Sequence, residues 1–393
     1  MTRTGGVRSN AESSAYCPAC GAAEMHILPE LADRSMLSDG RIVPYPLRRH
    51  ACSACGLAAH VESLSDQAVR EMFAEGYDLY AHPPGDRFEN ERQRRYADWI
   101  KSLAGPVAPS SVFEVGCGNG SLLMQLRSIW PLASFAGIEP AAAAAKHAKD
   151  AGFAVTCGFL ESCDHPNLAA DIALSVNVLE HSADPIRFLR VLRDSIAPSG
   201  KGIIICPDGD SPSTELLIFD HLQSLTGVAL SRLCAAARLR VVGQAKAPAG
   251  LGAFQAAAVE TNGEVGSMPE TNSDLAMRLI EARSRFLFAW QRLDGRLLER
   301  AGGSAELLCF GTGECAQLLR AYAPRIWQKV VAFAIDGGAG FFDGRPVLDY
   351  SSLRPTAGRA ILPAIRHDLH RAIYQRLKND GHEFVAWNDL LPA

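Results

Sequence analysis

Ser111-Val-Phe-Glu-Val-Gly-Cys-Gly-Asn-Gly120 is a short apolar run ending in three alternate glycines, and the helical pattern Ser121-Leu-Leu-Met-Gln-Leu-Arg-Ser-Ile129 follows at once. A buried strand that stops at Gly116, Gly118 and Gly120 and opens a helix brings backbone close to a ligand where side chains would intrude. Nineteen residues beyond Gly120 the next predicted strand ends in Glu139. A carboxylate at that place can accept hydrogen bonds from both hydroxyls of a ribose. The order G-x-G-x-G differs from the dinucleotide fingerprint G-x-G-x-x-G, so there is no pyrophosphate to cradle.

Outward from this turn the alternation continues. A helix is expected over Ala141–Gly152, strands over Asp171–Glu180 and Gly200–Asp208, and a helix around Ile186–Ile196 that stops at Pro198-Ser-Gly200. Arg240–Pro248 and Phe254–Glu260 read as a closing antiparallel hairpin. Strands alternating with helices imply a parallel sheet covered on both faces, an α/β fold. The expected central domain spans residues 106–265.

Before it, residues 1–62 hold Cys17-Pro-Ala-Cys20 and Cys52-Ser-Ala-Cys55, followed by Gly21 and Gly56. Each C-x-x-C turn puts two thiolates on one side of a tight loop, and two such turns close a tetrahedral structural Zn2+ site with no position left for water. The intervening span requires an inserted loop, such as Ala32–Tyr45. Residues 63–105 form an expected helical lid and linker, with helices near Asp66–Glu75 and Phe88–Leu103 and an exposed loop carrying Tyr77 and Tyr80. After the central domain come a helical linker, 266–300, and a smaller C-terminal α/β domain, 301–393.

The chain has 393 residues, 48% hydrophobic and 21% charged, the profile of a folded soluble protein. Its 39 basic and 43 acidic side chains leave a net charge of −4, so no global positive field exists for nucleic acid. The first fourteen residues lack the apolar core of a secretion signal, and no run is long enough to span a membrane, which points to the cytoplasm. Apart from the two pairs, the cysteines are scattered among apolar neighbours, as reduced thiols are.

The stretch 111–207 resembles a class I S-adenosylmethionine (SAM)-dependent methyltransferase. It carries the E-x-G-x-G-x-G loop from Glu114 to Gly120, the acidic strand end Glu139, and the run Val176-Asn-Val-Leu-Glu-His181 before Asp184-Pro185. The resemblance implies that Glu114, the three glycines, Glu139 and Asn177 bind SAM. The wider layout resembles the zinc-containing nucleotide-sugar C-methyltransferases of natural-product biosynthesis: four N-terminal cysteines, a tyrosine-bearing loop, an acidic residue before a histidine beyond the fifth strand, and a C-terminal α/β unit. It implies zinc at Cys17, Cys20, Cys52 and Cys55, a small-molecule acceptor such as a nucleotide-linked deoxysugar, and catalysis by Asp220-His221. The family often has glutamate before this histidine, whereas here the residues are Phe219-Asp220-His221.

A sulfonium methyl is already electrophilic, so the protein must align the acceptor, exclude water and remove a proton. His221, oriented by Asp220, is the candidate base, and His181, at the carboxyl end of the fourth strand, is its rival. Tyr77 or Tyr80 could hydrogen-bond an acceptor oxygen; both could equally serve only to pack the lid. O- or N-methylation of another natural-product intermediate is an alternative. Two other classes stay open: a nicotinamide-dependent oxidoreductase, from Gly311-Thr-Gly313-Glu-Cys-Ala316 and Asp336, and a zinc-knuckle module that brings the enzyme to a macromolecule.

Overall fold

The structure, a computed structural model, describes residues 16–62, 64–74, 77, 85, 87–162, 169–262, 268–303 and 306–392. Tyr80 and the Cys163 thiol lie outside them.

The chain begins with β1 (Met25–Ile27), a ribbon of β2 (Ser35–Met36) and β3 (Ile42–Val43), then β4 (Arg49–Cys52) and β5 (Ala58–His60). Helices α1 (Asp66–Ala74) and α2 (Arg87–Ala104) lead into β6 (Ser111–Val115), α3 (Ser121–Ile129), β7 (Ser134–Glu139), α4 (Ala142–Asp150) and β8 (Ala154–Cys157). β9 (Ala170–Val176), α5 (Pro185–Asp194) and β10 (Ile196–Pro207) follow. Next come the two-residue β11 (Gln223–Ser224), α6 (Gly227–Ala236), β12 (Arg240–Lys246) and β13 (Phe254–Glu260).

β6 to β10 with β12 and β13 make one sheet in the order β12-β13-β10-β9-β6-β7-β8. All its pairings are parallel except those of β13, which runs antiparallel to both β10 and β12. From β6 the chain proceeds to β7 and β8 on one side and to β9 and β10 on the other. The strand order reverses at the carboxyl ends of β6 and β9, the place where open α/β sheets hold their ligands.

The sheet is covered on both faces, which explains the unbroken apolar run of β10: Ile204 and Cys206 join one core with Phe188, Leu189, Leu192, Leu230 and Leu233, while Ile203 and Ile205 join Tyr96, Ile100, Leu122 and Leu126 on the other. α5 starts where Asp184 Oδ1 accepts from Arg187 N at 2.9 Å and Pro185 supplies its fixed φ at the first turn. Pro198-Ser-Gly200, expected as the stop of that helix, lies inside β10 instead. There the register with β9 shifts between Ile196 and Lys201, and a bulge accommodates the proline.

Compactness groups the residues differently from five consecutive segments. One unit holds the residues up to Ile27, Arg49–Leu216 and Asp220–Ile280, so the cysteine loops belong with the large sheet. The physical reason is size, since a knuckle of this length has no core of its own. Cys17, Cys52 and Cys55 pack in the same apolar cluster as Val115, Leu230 and Val259. The small antiparallel sheet β1-β4-β5-β11 extends through β5 onto β11, with Ala58 opposite Ser224.

The second unit holds Leu28–Arg48, Leu217–Phe219 and the chain from Glu281. The inserted loop Ala32–Tyr45 thus supplies the β2–β3 ribbon to this unit. Helix α7 (Ser273–Ala301), β14 (Glu306–Phe310), α8 (Glu314–Tyr322), α9 (Pro324–Trp327) and β15 (Val330–Ile335) come next. β16 (Phe341–Phe342), β17 (Arg345–Asp349), β18 (Arg359–Pro363) and α10 (His370–Asn379) complete the chain. The sheet order β16-β17-β15-β14-β18 is parallel except at β16.

Candidate active site and metal-binding loops

The glycine turn forms as its spacing implies. Gly116, Gly118 and Gly120 have φ of 69°, 53° and 83°, the left-handed region that a side chain resists. At Gly116 a Cβ would also lie 2.5 Å from Val178 Cγ2. Glu139 closes the neighbouring strand beside this turn: its carboxylate accepts from Gly118 N at 2.9 Å and Ala141 N at 2.8 Å. Each oxygen keeps a second lone pair for a ligand hydroxyl.

Glu114, on β6, is fully buried, and burial with the nearby Glu139 pushes its carboxyl up to about 8. Its Oε2 has no partner, nor have Ser175 Oγ at the end of β9 and Oδ1 of Asn177 just beyond it. Asn177 adopts φ of 56°, held by its N–H to Ile205 O at 2.9 Å. Ser175 shares the face of Val115 and Ala173, opposite to that of Leu174 beside Glu114, so the acceptors left for one ligand are Glu114 Oε2 and Asn177 Oδ1. Such groups are costly unless something satisfies them, and an ammonium-bearing ligand would.

The acceptor-side residues lie in the same compact unit. His181 ends a 3-10 turn after β9, and His221 lies in the loop before β11; their rings meet edge to face at 4.9 Å between centroids. The sequence pairs Asp220 with His221; in the structure Asp220 also meets His181, while its charge still acts on His221. Asp220 closes a turn, and its oxygens lie toward His181. Its carbonyl accepts from His181 Nδ1 at 2.7 Å, and its Oδ2 lies 3.8 Å from the same nitrogen. Facing His221 Nδ1 at 3.7 Å is Glu215 Oε2, a residue the sequence did not single out.

Glu180 was also missed, although it sits inside the Leu179-Glu180-His181 run. Its carboxylate and the two imidazoles bring one oxygen and two nitrogens within 4.8 Å of one another. Neither Glu180 oxygen has a hydrogen-bond partner, and burial pushes this carboxyl up to about 7. His181 is pulled by burial down to about 4, with Asp220 opposing. For His221 burial also lowers the pKa, but Glu215, Glu180 and Asp220 outweigh it and hold the ring above the ordinary imidazole value.

Phe73 of α1 packs edge to face on His181, with centroids 5.0 Å apart, and Tyr77 packs on Phe73 at 5.1 Å. Of the two tyrosines, Tyr77 is therefore one ring removed from the histidines.

The two cysteine turns repeat each other. Cys17 N donates to Ala22 O as Cys52 N does to Leu57 O, and Gly21 N donates to Cys17 O as Gly56 N does to Cys52 O. Gly21 and Gly56 have φ of 74° and 73°. The sulfurs of Cys17 and Cys55 are 3.6 Å apart, those of Cys20 and Cys52 3.4 Å, and all four lie within 4.8 Å of one another. A zinc–sulfur bond of about 2.3 Å in a tetrahedron sets sulfurs about 3.8 Å apart, so the four residues fit this ion. Hydrogen bonding to Cys52 pushes the Cys17 thiol up to about 12, while bonds from Cys17 and Cys55 hold Cys52 well below the ordinary thiol value.

In the second unit Gly311 takes φ of 110°, but both oxygens of Asp336 are already held by Arg376, at 2.6 and 2.9 Å. Among the described residues no helix is long and apolar enough to cross a membrane.

Residues 88–244 match the family model of a methyltransferase domain. The matched segment contains the glycine turn, Glu139, Asn177 and both histidines. The ubiquinone biosynthesis O-methyltransferase of Aeromonas salmonicida is 25% identical over 164 residues, covering 37% of this chain and 68% of that protein. Among solved structures, the mitomycin 7-O-methyltransferase is similar at 18% identity and a TM-score of 0.38, over 44% of this chain and 54% of the other. An O-methyltransferase from neocarzinostatin biosynthesis is similar at 17% identity and a TM-score of 0.37, over 44% and 56%. The chain spans about half the length of these two structures.

Proposed function

We propose that the protein transfers a methyl group from SAM to a small-molecule acceptor, and that its four cysteines hold a structural zinc ion. The observation that carries this reading is the crevice at β6 and β9: a glycine turn beside the Glu139 carboxylate, with Glu114 Oε2 and Asn177 Oδ1 buried and unsatisfied. The turn and Glu139 suit an adenosine, and the spare acceptors suit the ammonium of an amino-acid moiety. When bound, SAM supplies a sulfonium methyl and leaves as a neutral thioether.

The chain's own part is to bind, to orient and to take a proton. Glu139 receives the ribose hydroxyls. Glu114 and Asn177 receive the ammonium. His221 takes the acceptor's proton, and its surroundings favour it over His181: a base works best with a pKa near the operating pH, and His221 is held above the ordinary imidazole value while His181 is pulled well below it. Asp220 keeps His181 in one orientation through its carbonyl. α1 shields the pair from water through Phe73, and Tyr77 reaches the acceptor from the same lid.

For the acceptor we infer a deoxysugar linked to a nucleoside diphosphate, methylated at a carbon beside a ketone. The support is the order along the chain of the cysteine loops, the tyrosine-bearing segment and the histidine pair. O-methylation is the second reading, favoured by the relative from Aeromonas salmonicida. Incubation with methyl-labelled SAM and a thymidine-diphosphate 4-ketodeoxysugar tests the choice. Label in a base-stable C–CH3 group supports the first; label in a methyl ether, or only in a macromolecular fraction of cell extract, overturns it.

A further inference from the structure

His221 needs a partner that fixes which of its nitrogens carries the proton, because a neutral imidazole accepts only at the other. Asp220, next in sequence, lies against His181, with its carbonyl 2.7 Å and its Oδ2 3.8 Å from Nδ1 of that ring. The groups facing His221 are Glu180, His181, Asp220 and Glu215. Glu215 Oε2 stands against Nδ1 at 3.7 Å, and both of these atoms are buried without a hydrogen-bond partner among the described residues. Such a separation is common for catalytic pairs before substrate arrives and closes when the ring is engaged.

Glu215 is itself built in. It belongs to the 3-10 turn Thr214–Leu217 and is 5% exposed. Its Oε1 accepts from the Ser224 hydroxyl at 2.5 Å, and Ser224 is paired with Ala58 through β11 and β5. Arg49 of β4 anchors the same turn by donating from Nε to Leu216 O at 3.0 Å. Burial would push the Glu215 carboxyl up, but His221, Arg49 and Ser224 together hold it below the ordinary carboxylate value.

We propose that Glu215, not Asp220, is the positioning residue of His221, accepting its Nδ1–H so that the Nε2 lone pair is the one offered to the acceptor's proton. This rests on the methyl-transfer reading for its purpose but not for its test. The small strand β11 gains a role from it: the metal-binding loops hold, through β5 and Ser224, the carboxylate that orients the base.

The test is nitrogen-15 and carbon-detected NMR of the zinc-loaded full chain labelled at histidine, with His221 assigned by H221Q, in the wild type and in E215Q and E215D. In the wild type the neutral His221 ring carries its proton on Nδ1. In E215Q the titration midpoint of His221 falls and the Nε2–H form becomes populated, while E215D restores the Nδ1–H form. S224A, which loosens Glu215 without removing it, shifts the midpoint in the same direction by less and serves if E215Q does not fold. An unchanged tautomer and midpoint in E215Q or S224A overturns the proposal. So does a second metal equivalent per chain that E215Q loses, because His221 would then be a ligand. These signals require no acceptor, so failure to find methyl transfer leaves them readable.

Discussion

At the residue scale the donor crevice depends on positions where one atom decides the outcome. Gly116→Ala forces a side chain onto φ of 69° and a Cβ to 2.5 Å from Val178 Cγ2. We expect a loss of about 1–3 kcal/mol in thermal stability. Adding Val178→Ala should recover only the steric part, which calorimetry of the single and double variants checks. Glu114 carries a pH signature. Its carboxyl titrates at about 8 in the fold against a reference of 4.5, so the fold prefers it protonated. The stability it contributes is complete below about pH 4.5 and is lost as pH rises through 8. Glu114→Gln should flatten that slope and raise the melting temperature at alkaline pH. Above pH 8, where the carboxylate is ionised, it should also weaken S-adenosylhomocysteine binding at least tenfold, about 1.4 kcal/mol, through loss of a charged partner. A steeper slope, or undiminished affinity, would contradict the role given to Glu114.

The residues of this crevice were legible because they are local. A strand end, three glycines and the next strand end are fixed by spacing, and the turn and Glu139 meet through Gly118 N. The acceptor side was half legible. His181 and His221 stand in readable motifs and do come together, but Glu180 and Glu215 beside them carry no such signal, since no spacing marks a carboxylate brought in by a 3-10 turn. Asp220 is next to His221 in sequence, but it sits in a turn and its carbonyl meets His181, a tertiary contact that no spacing announces.

At the element scale, β6, α3, β7 and α4 follow from apolar periodicity, whereas β8 was not expected and the strand expected to run to Glu180 ends at Val176, and a 3-10 turn takes over. The two-residue β11 has no period to show, and neither has the bulge at Pro198–Gly200. β11 matters because it joins the cysteine loops to the loop of Glu215 and His221. Thr226 strengthens the junction: its Oγ1 donates to Cys55 O at 2.8 Å and caps α6 by accepting from Ala229 N at 3.0 Å. Removing the metal by chelation, or substituting Cys55→Ser, should therefore speed amide exchange at 58–60 and 223–226. Exchange at 112–115 should stay slow, and S-adenosylhomocysteine affinity should change less than threefold. Among the described residues the ladder neighbours of β6 are β7 and β9, both strands of the large sheet. Equal loss of protection in both regions would deny the knuckle this local role.

At the scale of the whole molecule the chain forms two compact units whose boundaries cross the sequence, with Leu28–Arg48 and Leu217–Phe219 assigned to the second. Sequence reading finds consecutive segments and has no signal for such an excursion, because what decides it is which core the inserted residues enter. Two units with separate sheets should unfold with a calorimetric enthalpy larger than the van't Hoff value. Saturating S-adenosylhomocysteine should shift only the transition of the unit containing β6–β10. At a hundred times the dissociation constant the gain is about 2.7 kcal/mol. A single transition moved as a whole would argue against independent units.

The central claim is that the crevice at β6 and β9 holds the adenosine and amino-acid ends of the methyl donor. Isothermal titration of the zinc-loaded protein with S-adenosylhomocysteine, in parallel with Glu139→Ala, tests it most directly. The account predicts one site per chain in the wild type and a dissociation constant at least tenfold higher in the variant, about 1.4 kcal/mol. No binding to the folded wild-type protein, or equal affinity in the two proteins, would contradict it.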